Sequence, residues 1–115
     1  MTPDERSALA AFVSGVRRHY GPRLVDLFVF GSRARGDATE DSDVDLAIIL
    51  QDGDWKFWTE KLILADLMHD ALVEQGLYIQ AWPVRQSEWV DPVKHSNPRF
   101  VEAMKRDARP WAEAA

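Results

Sequence analysis

Cysteine is absent from the 115-residue sequence, which excludes disulfide frameworks, thiolate zinc sites and cysteine nucleophiles together. Long hydrophobic runs are also missing, because the stretch from Leu46 to Leu50 is far shorter than the roughly 20 residues of a membrane helix. The segment from Met1 to Glu5 is acidic and is not followed by the apolar core of an export signal. We therefore expect a cytoplasmic protein with no membrane association.

Basic residues are fewer than acidic ones: the sequence has 14 Lys and Arg and 19 Asp and Glu, for a net charge of −5. Nucleic-acid binders normally carry a basic excess, so we expect no direct nucleic-acid binding. The imbalance is local, since residues 36–55 hold seven acids and no Lys or Arg, whereas residues 56–115 hold eight basic and nine acidic residues. Acidic loops are usually solvent-exposed without a specific function. Whether this one has a function must be judged from the residues around it.

The length and the alternation of helical and strand patterns predict one domain, residues 1–115, of the α/β or α+β class with a small sheet. Thr2, Pro3 and Glu5 form a capping box at the start of a first helix. Strands are predicted at 24–30, 44–50 and 77–82, the last ending near Pro83. Helices are predicted at 33–35 (short), from an Asp54 cap to about Gln75, and from Asn97 through Ala108 and Trp111.

Apolar residues at helical spacing predict the buried face of two helices. In the first helix they are Leu9, Phe12, Val13, Val16 and Tyr20. In the long helix they are Trp58, Leu62, Ala65, Met68 and Leu72. We expect Trp58 and Trp111 to lie in the core.

Two carboxylates, Asp43 and Asp45, stand at the head of the second strand. Residues two apart in a strand point to the same face, so these side chains lie side by side. Two like charges in a half-buried place are costly unless a cation lies between them. All-oxygen ligation suits Mg²⁺ or Mn²⁺, and Mg²⁺ commonly shares its coordination with phosphates.

The turn before the carboxylates, Gly31 to Gly36, follows directly on the first strand. Glycine lets a phosphate approach the backbone closely, and the Ser32 hydroxyl with the N–H groups of a helix start can bind an anion. Arg33 and Arg35 either add positive charge near a triphosphate or are solvent-facing charges of a short helix. A phosphate cradle thus precedes a metal-binding pair.

Gly31-Ser32, ten residues, then Asp43-x-Asp45 resembles the signature of the DNA polymerase beta-like nucleotidyltransferase superfamily. The fuller pattern, Gly31 to Gly36 with Ser42 to Ala47, is similar to its minimal nucleotidyltransferase (MNT) branch. The resemblance implies a mixed sheet of about three strands flanked by helices, with catalytic, metal-binding Asp43 and Asp45. It also implies that Gly31 and Ser32, with Arg33 and Arg35 beside them, hold the phosphates of an NTP.

The resemblance further implies transfer of AMP from ATP to a hydroxyl group, with Mg²⁺ or Mn²⁺ as cofactor. Stand-alone members resemble the antitoxin half of MNT/HEPN modules, which implies a helical HEPN-type partner that carries the acceptor hydroxyl. The sequence leaves homo-oligomer formation open.

One position departs from the family pattern. Active members carry a third carboxylate on the strand after the long helix, and Gln80 stands there in this sequence. Glutamine cannot be an anionic ligand or a general base. We find no spacing argument that would let Asp66, Asp70 or Glu74 replace it, and we expect these acids to be exposed helix charges. The alternative function is therefore a binding module of the same fold that neutralises or scaffolds a partner without turnover.

Overall fold

The computed structural model describes residues 2–36 and 43–111, so Asp37, Glu40 and Asp41 of the acidic block lie outside the described residues. The helices are α1 (Pro3–Tyr20), α2 (Ser32–Arg35), α3 (Phe57–Gln75), α4 (Gln86–Val90) and α5 (Pro98–Asp107). The strands are β1 (Leu24–Phe30), β2 (Val44–Leu50), β3 (Ile79–Arg85) and β4 (Arg109–Pro110). Short 3₁₀ turns lie at Gly21–Arg23 and Pro92–Lys94. Within these described ranges no helix is long and apolar enough to cross a membrane.

The strands form one mixed sheet in the order β3-β2-β1-β4. β1 pairs antiparallel with β2 and β4, whereas β2 and β3 are parallel. The α+β class and the mixed sheet are confirmed, but the sheet has four strands because β4 pairs with the free edge of β1. The prediction that helix α5 continues through Ala108 and Trp111 is wrong. Pro110 disfavours helical backbone at the residue before it, so the chain after Asp107 is extended.

The two faces of the sheet carry separate apolar clusters. One cluster joins α1 and α3 to alternate residues of the strands, and the first-helix face predicted from the sequence lies entirely within it. The other cluster joins α5 to the opposite strand face, where Phe30, Ala47, Ile49 and Val84 are buried. Asp45 alternates with buried Val44 and Leu46, so its side chain lies on this second face.

The first turn of α1 has the predicted capping box. The Thr2 hydroxyl accepts a hydrogen bond from the backbone N–H of Glu5 at 3.1 Å, and the Glu5 carboxylate accepts one from the Thr2 N–H at 2.9 Å. The hydrogen bond with the Thr2 backbone lowers the pKa of Glu5. The cap therefore satisfies donors that the helix itself leaves unpaired.

Replacing Thr2 with Ala should lower the free energy of unfolding by about 1 kcal/mol, since an N-cap hydroxyl is lost. Urea unfolding at neutral pH measures the loss. Thr2→Ser, which keeps the hydroxyl, is the matched control and should unfold near the parent midpoint. Equal midpoints for the Ala and Ser variants would contradict the capping assignment.

Helix α3 differs from its prediction in both its start and its buried face. It begins at Phe57 with Lys56 as N-cap, and Asp54 does not cap it. The indole N–H of Trp55 bonds to the Gln51 carbonyl at 3.0 Å, and Arg85 donates to the Gly53 and Trp55 carbonyls. These bonds hold the segment before Phe57 as a loop.

The buried residues of α3 are Glu60, Leu64, Met68 and Ala71. Trp58 is 71% exposed and Leu62 is 66% exposed, so the predicted stripe and the core position of Trp58 are wrong. The helix carries apolar residues on several sides, and periodicity alone could not choose among them. Trp111 packs against the α1/α3 cluster while only partly buried.

Strand β3 continues through Pro83 to Arg85, beyond its predicted end. Pro83 lacks an N–H and would break a ladder in the middle of a sheet. β3 is an edge strand with β2 on one side only, so this position tolerates proline. The strand also begins at Ile79 and not at 77, and Gln80 pairs with Asp45 of β2.

Candidate active site

The candidate site lies where β1 ends and β2 begins. Phe30, the last residue of β1, pairs with Asp45 across the antiparallel ladder. The Gly31-Ser32 turn therefore emerges beside the carboxylates, as the sequence motif predicted. A Cβ atom on Gly31 would lie 2.6 Å from Oδ2 of Asp45, and Gly31 has φ +73°. Both the backbone and the close approach of the carboxylate require glycine at this position.

The turn continues into helix α2, which ends at Gly36 in the left-handed conformation. The N–H groups of Arg35 and Gly36 bond to the carbonyls of Gly31 and Ser32, both at 3.0 Å. A helix of one turn leaves its first N–H groups without intrahelical partners. The Ser32 backbone and hydroxyl are thus placed at the turn that borders Asp45.

The two arginines of α2 connect it to neighbouring helices. Nη2 of Arg33 lies 3.9 Å from Oε2 of Glu5, and the Arg33 side chain is only 10% exposed. Nη1 of Arg35 donates to Oδ2 of Asp107 at 2.7 Å. Arg33 does not match the alternative of a solvent-facing charge, whereas the Arg35 side chain is 47% exposed and pairs with Asp107 at the surface. A contact of either with phosphate stays a prediction.

Asp43 is exposed and Asp45 is partly buried at the head of β2. Burial raises the pKa of Asp45, and the neighbouring charge of Asp43 raises it further. The indole of Trp82 and the charges of Lys61 and Arg35 act in the opposite direction. A carboxylate that is half-desolvated beside a second carboxylate is stabilised by a cation between them. This all-oxygen pair fits a divalent cation of the Mg²⁺ type.

Gln80 lies directly beside Asp45 in the parallel β2–β3 register. Its side chain therefore lies on the same face of the sheet as the Asp45 carboxylate. That this is the third-carboxylate position of the family stays a prediction. Among residues 2–36 and 43–111 there is no group of three or more His, Cys, Asp or Glu that could hold a metal ion. Asp66, Asp70 and Glu74 line a groove against α1, on the other face of the sheet, and do not replace Gln80.

Sequence reasoning missed Lys61 of α3. Its ammonium group donates to Oε1 of Gln80 at 3.2 Å and to the carbonyl of Ala81 at 2.8 Å, and it lies 4.0 Å from the centre of the Trp82 ring. Burial lowers the pKa of Lys61, while the charge of Asp45 acts in the opposite direction. In the sequence Lys61 follows Glu60 and resembles an ordinary exposed helix charge, so no local signal could identify it.

A cavity of about 510 Å³ borders the site on the side of Trp82. Aromatic rings form much of its wall, together with Arg85 and the segment from His95 to Asn97. The aromatic residues are Trp55, Phe57, Trp58, Trp82 and Phe100. Of the residues that the site brings together, Trp82 is the one that also lines this cavity.

Comparison with known proteins agrees with this arrangement. The sequence profile of the nucleotidyltransferase domain matches residues 9–105. "Putative protein adenylyltransferase MJ0604" of Methanocaldococcus jannaschii is 35% identical over 78 residues, which cover 68% of this chain and 71% of that protein. "Putative protein adenylyltransferase MJ1305" of the same organism is 31% identical over 71 residues, which cover 62% of this chain but only 48% of that protein.

Two solved structures share the fold. A crystal structure described as a putative nucleotidyltransferase from Sulfolobus solfataricus has a TM-score of 0.55 at 20% identity, over 82% of this chain and 84% of that one. The CdnE cyclic dinucleotide synthase of Elizabethkingia meningoseptica, solved with GTP and Apcpp, has a TM-score of 0.51 at 16% identity. This match covers 70% of this chain and 36% of that one. The profile match extends over most of the sequence, and the chain belongs to the nucleotidyltransferase domain family and its class of transferase enzymes.

Proposed function

We propose that this nucleotidyltransferase transfers AMP from ATP to a hydroxyl group on a protein acceptor. The observation that carries the proposal is the packing of Gly31 directly against the carboxylate of Asp45. It puts a glycine-lined turn suited to phosphates next to a carboxylate pair suited to a divalent cation. The names of the two Methanocaldococcus relatives, protein adenylyltransferases, support a protein acceptor and an adenylyl donor.

Each side chain of the site has a proposed role. Asp43 and Asp45 hold Mg²⁺ or Mn²⁺, which when bound neutralises charge on the phosphate oxygens. Gly31 and Ser32 bind the phosphates through backbone N–H groups and the hydroxyl, and Arg33 and Arg35 contribute positive charge beside them. The acceptor oxygen bonds to the α-phosphorus as the bond to the β-phosphate oxygen breaks. Pyrophosphate leaves, and the hydroxyl proton passes to water.

For the acceptor we propose a helical HEPN-type protein, with this chain acting as its antitoxin in the cytoplasm. The resemblance of the motif to the MNT branch supports this choice, and so does the absence of cysteine, which suits a reducing compartment. We propose that an acceptor segment binds in the aromatic cavity lined by Trp82.

The test is incubation of the protein with α-labelled ATP, Mg²⁺ and a HEPN-type partner encoded beside it. Label should move to the partner, whereas γ-labelled ATP should leave the partner unlabelled because pyrophosphate departs. Calorimetry should show nucleotide binding that requires Mg²⁺. If no Mg²⁺-dependent binding is measured, the phosphate-cradle assignment is wrong.

Gln80 favours a second candidate function, a binding module that neutralises its partner without turnover. Its amide beside Asp45 cannot accept a proton or supply a third anionic ligand. Under this alternative the same incubation gives a stable complex with the partner and no transfer of label. The two functions are thus separated by label transfer alone.

A further inference from the structure

A cation already belongs to this site, and Lys61 provides it. Its ammonium group is held by the Gln80 side chain, the Ala81 carbonyl and the face of the Trp82 ring. These contacts offset the cost of half-burying the charge. Because Gln80 is in register with Asp45, its hydrogen bond with Lys61 places the ammonium one strand away from that carboxylate.

The Lys61 ammonium and a second divalent cation, held by a third carboxylate, are alternative sources of positive charge at this site. A third carboxylate at position 80 would add negative charge and an anionic ligand, which favours a second divalent cation. Gln80 adds neither, and its carbonyl oxygen already accepts a hydrogen bond from Lys61. A second divalent cation bound there would lose that ligand and would be repelled by the ammonium.

We propose that the site binds a single divalent cation, at Asp43 and Asp45, and that the Lys61 ammonium supplies the second positive charge of the nucleotide site. The proposal rests on the metal–nucleotide site of the proposed function. Lys61 has three N–H donors, of which two bond to Gln80 and Ala81. The ammonium also faces the Trp82 ring, so its proposed contribution to phosphate binding is its positive charge. Gln80 is a positioning residue that holds the ammonium in place.

The first experiment counts metal ions on the unmodified protein. Mn²⁺ binding is measured by electron paramagnetic resonance with a saturating non-hydrolysable ATP analogue. We expect one Mn²⁺ per chain and nucleotide. Two Mn²⁺ ions would overturn the single-cation proposal, whereas absence of any Mn²⁺-dependent nucleotide binding would overturn the proposed function itself.

The second experiment changes the charge at Lys61. Lys61→Met keeps the apolar stem against Trp82 and removes the charge, and it should weaken binding of the Mn²⁺–analogue complex by tenfold or more. Lys61→Arg keeps the charge and should recover most of the affinity. Lys105→Met, which removes an exposed lysine beside Trp89, is the control and should bind as the parent does. Unchanged affinity in Lys61→Met would overturn the role of Lys61, even if its thermal stability falls.

The third experiment attempts to restore a second metal site. The double variant Lys61→Met with Gln80→Asp should bind two Mn²⁺ ions, because a third carboxylate is present and the competing ammonium is gone. Gln80→Asp alone should still bind one, since Lys61 pairs with the new carboxylate. Two ions in the single variant would show that Lys61 does not exclude a second metal.

Discussion

Asp45→Asn should lower the rate of nucleotidyl transfer by about a thousandfold or more. A metal ligand that neutralises phosphate charge is worth several kcal/mol in the transition state, and about 4 kcal/mol corresponds to a factor of 1,000. The rate at which label passes from α-labelled ATP to the proposed partner protein measures the loss of activity. The Asn side chain is nearly isosteric, so the complex with the partner should form as before.

The same substitution should stabilise the metal-free protein. Burial and the charge of Asp43 both disfavour the ionised Asp45 carboxylate, and Asn removes that cost. We expect a higher thermal midpoint than the parent in EDTA. We also expect Mg²⁺ with nucleotide to raise the midpoint of the parent and not that of the variant. Asp70→Asn, an exposed acid on the α1 side of α3, is the control and should leave both midpoints and transfer unchanged. Full transfer by Asp45→Asn would remove this carboxylate from the mechanism.

Gly31→Ala should both destabilise the fold and weaken nucleotide binding. The positive φ costs a residue with a Cβ about 1–3 kcal/mol. The new methyl group would also lie 2.6 Å from Oδ2 of Asp45 and displace the carboxylate. We therefore expect a lower urea midpoint and at least a tenfold loss of affinity for the Mn²⁺–nucleotide complex.

Gly36→Ala separates these two effects. Gly36 also has positive φ, at +83°, but no atom of the described residues lies within 4 Å of the added Cβ. It should lower stability by a similar backbone cost while binding the Mn²⁺–nucleotide complex with nearly the parent affinity. Equal affinity losses in the two variants would mean that contact with Asp45 is not what requires glycine at position 31.

The local elements followed from local chemistry. The Thr2 capping box, the strand from Leu24 to Phe30 and the short helix before Gly36 were predicted because each depends on neighbours a few residues away. The start and the buried side of α3 were not. Its apolar residues lie on several sides of the helix. Contacts with α1 and the sheet determine that Leu64 and Met68 are buried and that Trp58 is exposed.

In the candidate site, too, local features were predicted from the sequence and long-range contacts were not. Spacing alone predicted that the Gly31-Ser32 turn lies beside the carboxylate pair, because the turn follows the first strand and the pair stands at the head of the second; the structure places Gly31 against Asp45. Lys61 is 16 residues from Asp45 in the sequence and belongs to α3, the helix that connects the parallel strands β2 and β3. The hydrogen bonds of Lys61 with Gln80 and Ala81 of β3 depend on how α3 packs against the sheet. No local sequence pattern predicts that packing.

By itself the sequence determined that the chain lacks cysteine chemistry, carries its excess of acid in one block and places two carboxylates behind a glycine-serine turn. These properties depend only on composition and on spacing along the chain. The tertiary structure decided that Gly31 touches Asp45, that Gln80 stands beside it and that a lysine supplies positive charge there. Such contacts are set by strand register and helix packing, which join residues far apart in sequence.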